Sequence, residues 1–240
     1  MIFNLFKAKP TLRELIPEGF VDIHSHILPG IDDGAKDINE SKELIEEMQG
    51  IGFSKIIGTP HTYPGLYDNT EDSIKSAFKK VENLEIKDIE LDYGTEYMLE
   101  KSIISKSRDK NLLCFKDNYV LIEMSFISEP IGLADIIFEI KVNGFIPVLA
   151  HPERYLFIDK KKYFELKKRG CLFQANLLSM TEYYGVIIRK KLDKLIDYGL
   201  IDFVGSDIHN LNHIKAFENK VKCKKIDEIE KIIQNNFRFK

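Results

Sequence analysis

The sequence is poor in the features that mark several common protein classes. Its three cysteines, Cys114, Cys171 and Cys223, form no CxxC pair, so neither a disulfide framework nor a zinc knuckle is indicated. No stretch approaches the roughly 20 apolar residues that a membrane-spanning helix needs. The first ten residues do not follow the order of a signal peptide. We therefore expect a protein of the reducing cytoplasm, without membrane insertion.

Long runs of one charge and several enzyme motifs are also missing. The net charge is -3, with 30% charged residues and no long basic stretch, so nucleic-acid binding is not indicated. No cysteine is followed six positions later by arginine, as the phosphate loop of a cysteine phosphatase would require. The motifs GxSxG, GxxxxGK[ST] and GxGxxG do not occur either. These other chemistries are therefore poorly supported.

What recurs along the chain is an amphipathic helix followed by an apolar strand. This alternation predicts parallel βαβ units, and seven candidate strands favour a closed or nearly closed barrel in one domain. Residues 20–240 form that domain in this interpretation, and residues 1–19 form an N-terminal arm with a short helix before Pro17. Asp37 and Glu40 predict a capping box for the first long helix. The predicted strands are 20–23, 53–58, 89–93, 120–122, 145–150, 171–175 and 200–204, and the predicted helices are 37–50, 70–84, 133–142, 163–169 and 187–198.

Histidines and carboxylates follow nearly every predicted strand. His24 and His26 are two residues apart, so an extended chain directs both to one face, and Asp207 and His209 repeat this spacing. In barrels of parallel strands the active site lies at the carboxyl ends of the strands. Clustered histidines and carboxylates there indicate a metal or catalytic site. The candidate ligands are His24, His26, Asp33, His61, Glu96, Glu123, His151, Asp207 and His209.

This ligand set predicts a multi-metal hydrolytic centre. Imidazole and carboxylate ligands suit Mn, Fe, Zn or Ni, and the lack of nearby cysteine argues against a structural zinc site. One ion cannot use so many ligands, so we expect two or three ions, with a carboxylate such as Glu96 able to bridge two. A metal-bridging hydroxide would be the nucleophile, and the ions would neutralise charge on a transferred phosphate.

Arg154 indicates a phosphate substrate. It follows His151 by three residues, and its planar guanidinium matches phosphate oxygens in a bidentate manner. A surface ion pair, with Glu153 for example, is the competing interpretation. Tyr63 and Tyr67, in the loop after the third histidine, are predicted to line a pocket for an aromatic group, although exposed loop tyrosines are common.

Two further residues, Asp32 and His213, lie near the candidate ligands in the sequence. We expect only one of Asp32 and Asp33 to reach a metal, because they share a turn between two glycines. His213 lies beyond the last predicted strand and is predicted to be a solvated loop residue.

The motifs resemble those of a known family, the polymerase-and-histidinol-phosphatase (PHP) family. More narrowly, they are similar to bacterial manganese-dependent protein-tyrosine phosphatases of capsule and exopolysaccharide synthesis. The resemblance covers roughly residues 20–215 in the expected order. Its most specific parts are the string from Asp22 to Gly34 and the run His-Pro-Glu-Arg-Tyr at 151–155. The other matching segments are 59–61, 93–96, 121–123 and 205–210.

The resemblance implies a distorted seven-stranded (β/α)7, TIM-like barrel that holds three metals, with manganese favoured and Fe, Co, Ni or Zn as alternatives. Arg154 would bind the phosphate, and Arg154, Asp207 and His209 are the predicted catalytic residues. The implied ligand sets are His24, His26, Glu96 and Asp207 for one ion, Glu96, Glu123 and His151 for a second, and Asp33, His61 and His209 for a third.

The leading hypothesis is therefore a metal-dependent protein-tyrosine phosphatase. The implied substrate is the tyrosine-rich tail of a membrane-associated bacterial tyrosine autokinase that controls capsule or exopolysaccharide synthesis. One alternative is a small-molecule phosphomonoesterase of the histidinol-phosphate type, and another is a metal-stabilised regulatory module without catalysis. The sequence leaves open the metal, the kinase partner, a general acid, a homo-oligomer and the role of residues 216–240.

Overall fold

Strands and helices alternate along the protein. The structure is a computed structural model that describes residues 8–240. The helices are α1 Leu12–Leu15, α2 Ile38–Ile51, α3 Glu71–Glu82, α4 Ser102–Arg108, α5 Leu133–Val142, α6 Lys160–Lys168, α7 Val186–Asp197, α8 Leu211–Lys215 and α9 Ile226–Asn235. The strands are β1 Phe20–Ser25, β2 Phe53–Gly58, β3 His61–Thr62, β4 Glu90–Tyr93, β5 Glu96–Met98, β6 Tyr119–Glu123, β7 Ile146–Ala150, β8 Leu172–Asn176 and β9 Phe203–Gly205. Every helix and strand predicted from the sequence is present, which confirms an α/β fold.

The strands form two parallel sheets instead of the single barrel that we predicted. One sheet has the order β1-β2-β4, and the other has the order β3-β5-β6-β7-β8-β9. The division falls where the chain leaves β2 for β3 through Pro60, which has no amide hydrogen for a ladder. On the far side a parallel bridge between Ser25 and Ile208 connects the end of β1 to the segment after β9. Hydrogen bonding between the strands therefore does not close one continuous cylinder.

Local side-chain contacts explain where the first long helix begins. The Asp37 carboxylate accepts hydrogen bonds from the amides of Asn39 and Glu40 and caps α2. The Glu40 carboxylate accepts the amide of Lys36 at 2.9 Å. The predicted capping box is thus only half formed, because Glu40 reaches one residue further back than a reciprocal box requires.

Apolar residues on the two faces of the strands form two separate cores. The larger core lies between the strands and the helices. The smaller core contains side chains from the other face of the strands, such as Val21 and Ile23 on β1. Phe239 belongs to the smaller core, where its ring centroid lies 4.9 Å from Phe203 and 5.2 Å from Tyr119. Both neighbours begin their strands, so Phe239 closes the end of the smaller core that is opposite to the strand carboxyl ends.

The C-terminal segment is part of the body of the protein. The buried amide of Asn236 donates to the carbonyls of Val21 at 3.0 Å and Val204 at 2.8 Å. Its oxygen accepts the amide of Val204 at 3.1 Å. Side-chain hydrogen bonds from one residue therefore tie the end of the chain to both β1 and β9.

The described part of the N-terminal arm packs on that body. The predicted short helix before Pro17 is present as α1, and its Leu12 is completely buried. The amide of Leu12 donates to the carbonyl of Asn219 at 2.9 Å. Residues 1–7 lie outside the described residues. Among residues 8–240, no helix has the length and apolar content to cross a membrane.

Candidate metal centre

All nine ligands predicted from the sequence meet at one end of the strands. His24 lies near the end of β1, Glu96 begins β5 and Glu123 ends β6. The other predicted ligands lie on β3 or in the segments that follow β1, β7 and β9. The carboxyl ends of parallel strands share one edge, which explains why residues far apart in sequence become neighbours. Four overlapping groups have ligand atoms within 4.8 Å of one another: His26, Asp33, His61 and His209; His24, Glu96 and His151; His24, His26 and Asp207; and His61, Glu96 and Glu123.

Hydrogen bonds at Nδ1 fix the orientation of the first two histidines. Nδ1 of His24 lies 2.8 Å from Oε1 of Gln174, and Nδ1 of His26 lies 2.7 Å from Oδ2 of Asp32. An imidazole that donates from one nitrogen keeps a lone pair on the other, and metal-binding histidines are commonly held in this way. Both Nε2 atoms therefore face the centre, where each offers its lone pair to an ion once it is deprotonated. Asp32 thus supports His26, whereas Asp33 belongs to one of the four groups of potential ligand atoms; that one of the pair reaches a metal stays a prediction.

The carboxylate of Glu96 lies in the middle of the cluster and is fully buried. Its Oε1 is 3.1 Å from Nε2 of His151. Its Oε2 is 3.2 Å from Nε2 of His24 and 3.1 Å from Nδ1 of His61. One carboxylate thus contacts three histidines, which is the arrangement that a bridging ligand needs.

Two buried atoms of this cluster show that the residues fit a cation. Oε2 of Glu96 and Nδ1 of His61 are near each other, yet neither has a hydrogen-bond partner. Buried polar atoms are nearly always satisfied, so this unpaired set indicates a site for a water molecule or an ion. Nitrogen and carboxylate donors without sulfur suit first-row divalent ions such as Mn²⁺.

The charges of the cluster are strongly coupled. Burial favours the neutral form of Glu96, yet neighbouring His24 and His151 hold the pKa of Glu96 well below its ordinary value. Burial likewise lowers the pKa of His26, but the Asp32 carboxylate raises it on balance to about 10. Without an ion the neighbouring carboxylates favour the protonated forms of His24 and His26, whose pKa values are both raised. Because ligands must be deprotonated to bind a metal, ion binding at this site releases protons.

Arg154 lies at the open side of the cluster, in a 3-10 turn that follows His151. Its Nη1 is 3.1 Å from Oδ2 of Asp207. Its guanidinium lies between two aromatic rings, 4.3 Å from the centroid of Phe126 and 4.5 Å from that of Tyr184. Stacking and the ion pair hold the guanidinium in place before any substrate arrives.

The alternative pairing of Arg154 with Glu153 is not formed. The Glu153 side chain is completely buried, where Oε1 accepts the amide of Asn176 at 2.9 Å and the hydroxyl of Ser179 at 2.7 Å. Burial raises the pKa of Glu153 to about 7. Glu153 therefore braces the loop after β8, and Arg154 is left to face the pocket.

Six of the predicted ligands and Arg154 border an open pocket of about 320 Å³. Aromatic and polar side chains that sequence reasoning did not assign to the site complete its wall. They are Phe126, Tyr184, Asn210 and His213. Asn210 ends the segment 205–210, which resembles a family motif. Phe126 and Tyr184 lie in loops, and no local sequence pattern indicates that they reach the pocket.

His213 is not the solvated loop residue that we predicted. It is half-buried within α8, and its Nδ1 lies 3.0 Å from the backbone oxygen of Asp207. The reason is that Asn210 caps a new helix, with its side chain accepting the amides of Asn212 and His213. The helix turns His213 back over His209, at 5.5 Å between ring centroids.

The two loop tyrosines lie beside the pocket. Tyr67 stacks on His61, with ring centroids 5.6 Å apart and planes 12° apart. Tyr63 pairs with Tyr67 through the backbone, its amide donating to the Tyr67 carbonyl at 2.9 Å. Neither tyrosine belongs to the wall of the 320 Å³ pocket, so their role in substrate binding stays a prediction.

The protein is an α/β protein with a candidate multi-metal hydrolytic centre. Histidines, carboxylates and one arginine converge there at the carboxyl ends of parallel strands. The chain belongs to the CpsB/CapC family of capsular polysaccharide synthesis, whose family model matches residues 20–236.

Individual relatives cover most of the chain. CapC of Staphylococcus aureus is 33% identical over 226 residues, which is 90% of this chain and 89% of that protein. The tyrosine-protein phosphatase YwqE of Bacillus subtilis (strain 168) is 32% identical over 197 residues, 80% of this chain and 78% of YwqE. The tyrosine-protein phosphatase CpsB of Streptococcus pneumoniae is 31% identical over 203 residues, 80% of this chain and 84% of CpsB.

A solved structure shares the fold. It comes from crystal structures of Bacillus subtilis YwqE and Streptococcus pneumoniae CpsB, described as metal-dependent tyrosine phosphatases. It matches this chain with a TM-score of 0.76 and 29% identity, and it covers 82% of this chain and 84% of that one.

Proposed function

We propose that this protein is a metal-dependent phosphatase that hydrolyses phosphotyrosine in proteins. The observation that carries the proposal is the convergence of nine nitrogen and carboxylate ligands beside a stacked arginine in an open pocket. The names of YwqE and CpsB, as tyrosine-protein phosphatases, support the same substrate class.

The ligands suit two or three divalent ions, with Mn²⁺ as the first choice and Fe, Co, Ni or Zn as alternatives. The proposed sets are His24, His26, Glu96 and Asp207; Glu96, Glu123 and His151; and Asp33, His61 and His209, which overlap with the observed groups. When bound, such ions supply a nucleophile at neutral pH and neutralise charge on the phosphate.

The side chains of the pocket bind and orient the substrate. Arg154 holds two phosphate oxygens through its fork of N–H donors, and the ion pair with Asp207 sets the direction of that fork. We propose that Asp207 and His209 act on the reacting phosphate as metal ligands, and that Asp207 also acts through its ion pair with Arg154. The phenol that leaves has an ordinary pKa of about 10, so its departure needs little help from a general acid.

The proposal also includes the form of the barrel, the domain boundaries, the cellular compartment and the partners. We infer that the two sheets together are a distorted, opened form of a seven-stranded barrel, in which β2 continues as β3 and β4 as β5. Residues 20–240 then form the phosphatase domain, with residues 1–19 as an arm. The three cysteines are free thiols, which agrees with a reducing cytoplasm. The proposed partner is a membrane-associated tyrosine kinase, and a homo-oligomer is compatible with this scheme.

The direct test is phosphate release from a phosphotyrosine peptide in the presence of Mn²⁺. We expect activity in the wild type and loss in both Arg154→Ala and His24→Ala. Folding of each variant is checked by circular dichroism. Activity that survives Arg154→Ala would remove the phosphate site from this arginine. Absence of release with Mn²⁺, Co²⁺, Fe²⁺ or Ni²⁺, together with turnover of histidinol phosphate, would instead favour the small-molecule reaction.

A further inference from the structure

A second groove lies between α6 and α7, next to the chain segment that leaves the metal centre. It encloses about 460 Å³. One face of α7 lines it with Ile187, Lys190, Lys191 and Lys194, at the spacing that brings residues to one side of a helix. Lys160 faces them from the start of α6.

The groove carries a marked positive charge. Four lysines line it against a single acid, Asp159, and that carboxylate caps α6 by accepting the amide of Lys162 at 2.8 Å. Across residues 8–240, no carboxylate forms an ion pair with Lys160, Lys190 or Lys194. Their positive charge is therefore available to an external anion.

Apolar side chains stand between the lysines. Ile187 is 68% exposed and Leu156 is 55% exposed, although both contribute to the wall of the groove. Large exposed apolar side chains within a concave, charged surface are typical of interaction sites. The occupant should therefore combine negative charge with apolar side chains, as a polypeptide does.

The groove lies close to the phosphate pocket along the chain. Leu156 follows Arg154 by two residues, so their Cα atoms are at most about 8 Å apart. Nζ of Lys191 donates to the carbonyls of Tyr155 and Ile158, so α7 directly supports the segment that joins the two sites. A polypeptide whose phosphotyrosine reaches Arg154 would lie across this segment.

We propose that the α6–α7 groove docks an acidic segment of the phosphotyrosine-bearing protein, which flanks the phosphotyrosine. This inference rests on the proposed phosphatase function and extends it from the modified residue to its surroundings. An extended chain advances about 3.3 Å per residue, so acidic side chains about three to six residues from the phosphotyrosine extend about 10 to 20 Å from Arg154 along the groove. Apolar side chains between them contact Leu156 and Ile187.

The test compares two phosphotyrosyl peptides that differ only in glutamate or glutamine at those flanking positions. With Mn²⁺-loaded protein we expect about tenfold higher kcat/KM for the glutamate peptide, since each exposed ion pair contributes modestly. The preference should fall to about twofold in the variant Lys160→Gln/Lys190→Gln/Lys194→Gln and shrink with added salt. Turnover of free phosphotyrosine should be the same in both proteins.

The matched control removes the same charge from α3, as Lys75→Gln/Lys79→Gln/Lys80→Gln, and should keep the preference. Binding of the corresponding unphosphorylated fluorescent peptides tests docking without catalysis. If no phosphotyrosine is hydrolysed, the proposed function fails while this binding measurement still decides the docking site. Equal binding and turnover of both peptides by the wild type would overturn the inference. A groove variant that loses only binding to anionic vesicles would also overturn it, since the occupant would then be a membrane. A groove variant that loses only self-association would overturn it as well, since the occupant would then be a second copy of this chain.

Discussion

Replacement of Gln174 by leucine tests whether the support of His24 controls metal binding. Nδ1 of His24 lies 2.8 Å from Oε1 of Gln174, and both side chains are completely buried, so water cannot replace the lost acceptor. Nε2 of Gln174 donates to the carbonyl of Ala175 at 2.8 Å, which fixes the amide with its oxygen toward the histidine. Leucine has a similar size but offers no acceptor, so His24 loses its fixed tautomer and orientation.

Loss of such a supporting contact commonly weakens metal affinity by about 10- to 100-fold, or about 1.4 to 2.7 kcal/mol. The assay titrates metal-free protein with Mn²⁺ and follows phosphate release from a phosphotyrosine peptide. The midpoint of the titration should rise by that factor in Gln174→Leu, while kcat at saturating Mn²⁺ changes little.

Gln174→Glu provides the matched control, because it keeps an oxygen acceptor next to His24. It places a second oxygen near the carbonyl of Ala175, so we expect affinity between those of the wild type and the leucine variant. An unchanged midpoint in Gln174→Leu would refute the reasoning, as would a glutamate variant that is no better than leucine.

Three further predictions concern packing, metal and thiols. A Cβ at Gly205 would lie 2.7 Å from Cβ of His24, so Gly205→Ala should weaken Mn²⁺ binding at least as much as Gln174→Leu; a wild-type titration midpoint would contradict this. Chelation of the ions should lower the melting temperature by about 5 to 10 °C, because a ligand at 100 times its Kd contributes about 2.7 kcal/mol to stability. Calorimetry with and without a chelator measures this change. An unchanged melting temperature would count against a native state that binds ions. Burial raises the pKa of Cys114 to about 11 and that of Cys171 to about 12, so these thiols react slowly with iodoacetamide. Treatment with iodoacetamide should therefore leave phosphatase activity intact. Inactivation would indicate a cysteine nucleophile.

The sequence predicts which site residues come together better than it predicts the arrangement of the sheets. Residues that directly follow apolar strands, such as His61 and His151, can be placed together because parallel strands end at one edge. By contrast β3 and β5 have two and three residues, too short for a periodic pattern. Their separation from β2 and β4 depends on backbone geometry near Pro60 that no hydrophobic pattern records.

Supporting residues were also beyond sequence reasoning. Gln174 lies in the middle of an apolar strand and Phe126 in a loop, and each acquires its role only through contact with His24 or Arg154. His213 illustrates the same limit, because a helix of five residues turns it toward the site. Tertiary contacts between distant segments, which a single sequence does not display, determine all of these positions.

The central claim is that the nine ligands hold divalent ions that are required for phosphotyrosine hydrolysis. The most direct measurement is the metal content of the purified protein together with phosphate release before and after removal of metal by a chelator. We predict that each chain holds about two or three ions, that metal-free protein releases no phosphate, and that Mn²⁺ restores activity; this is the result expected if the ions are required. Full activity in metal-free protein would contradict it.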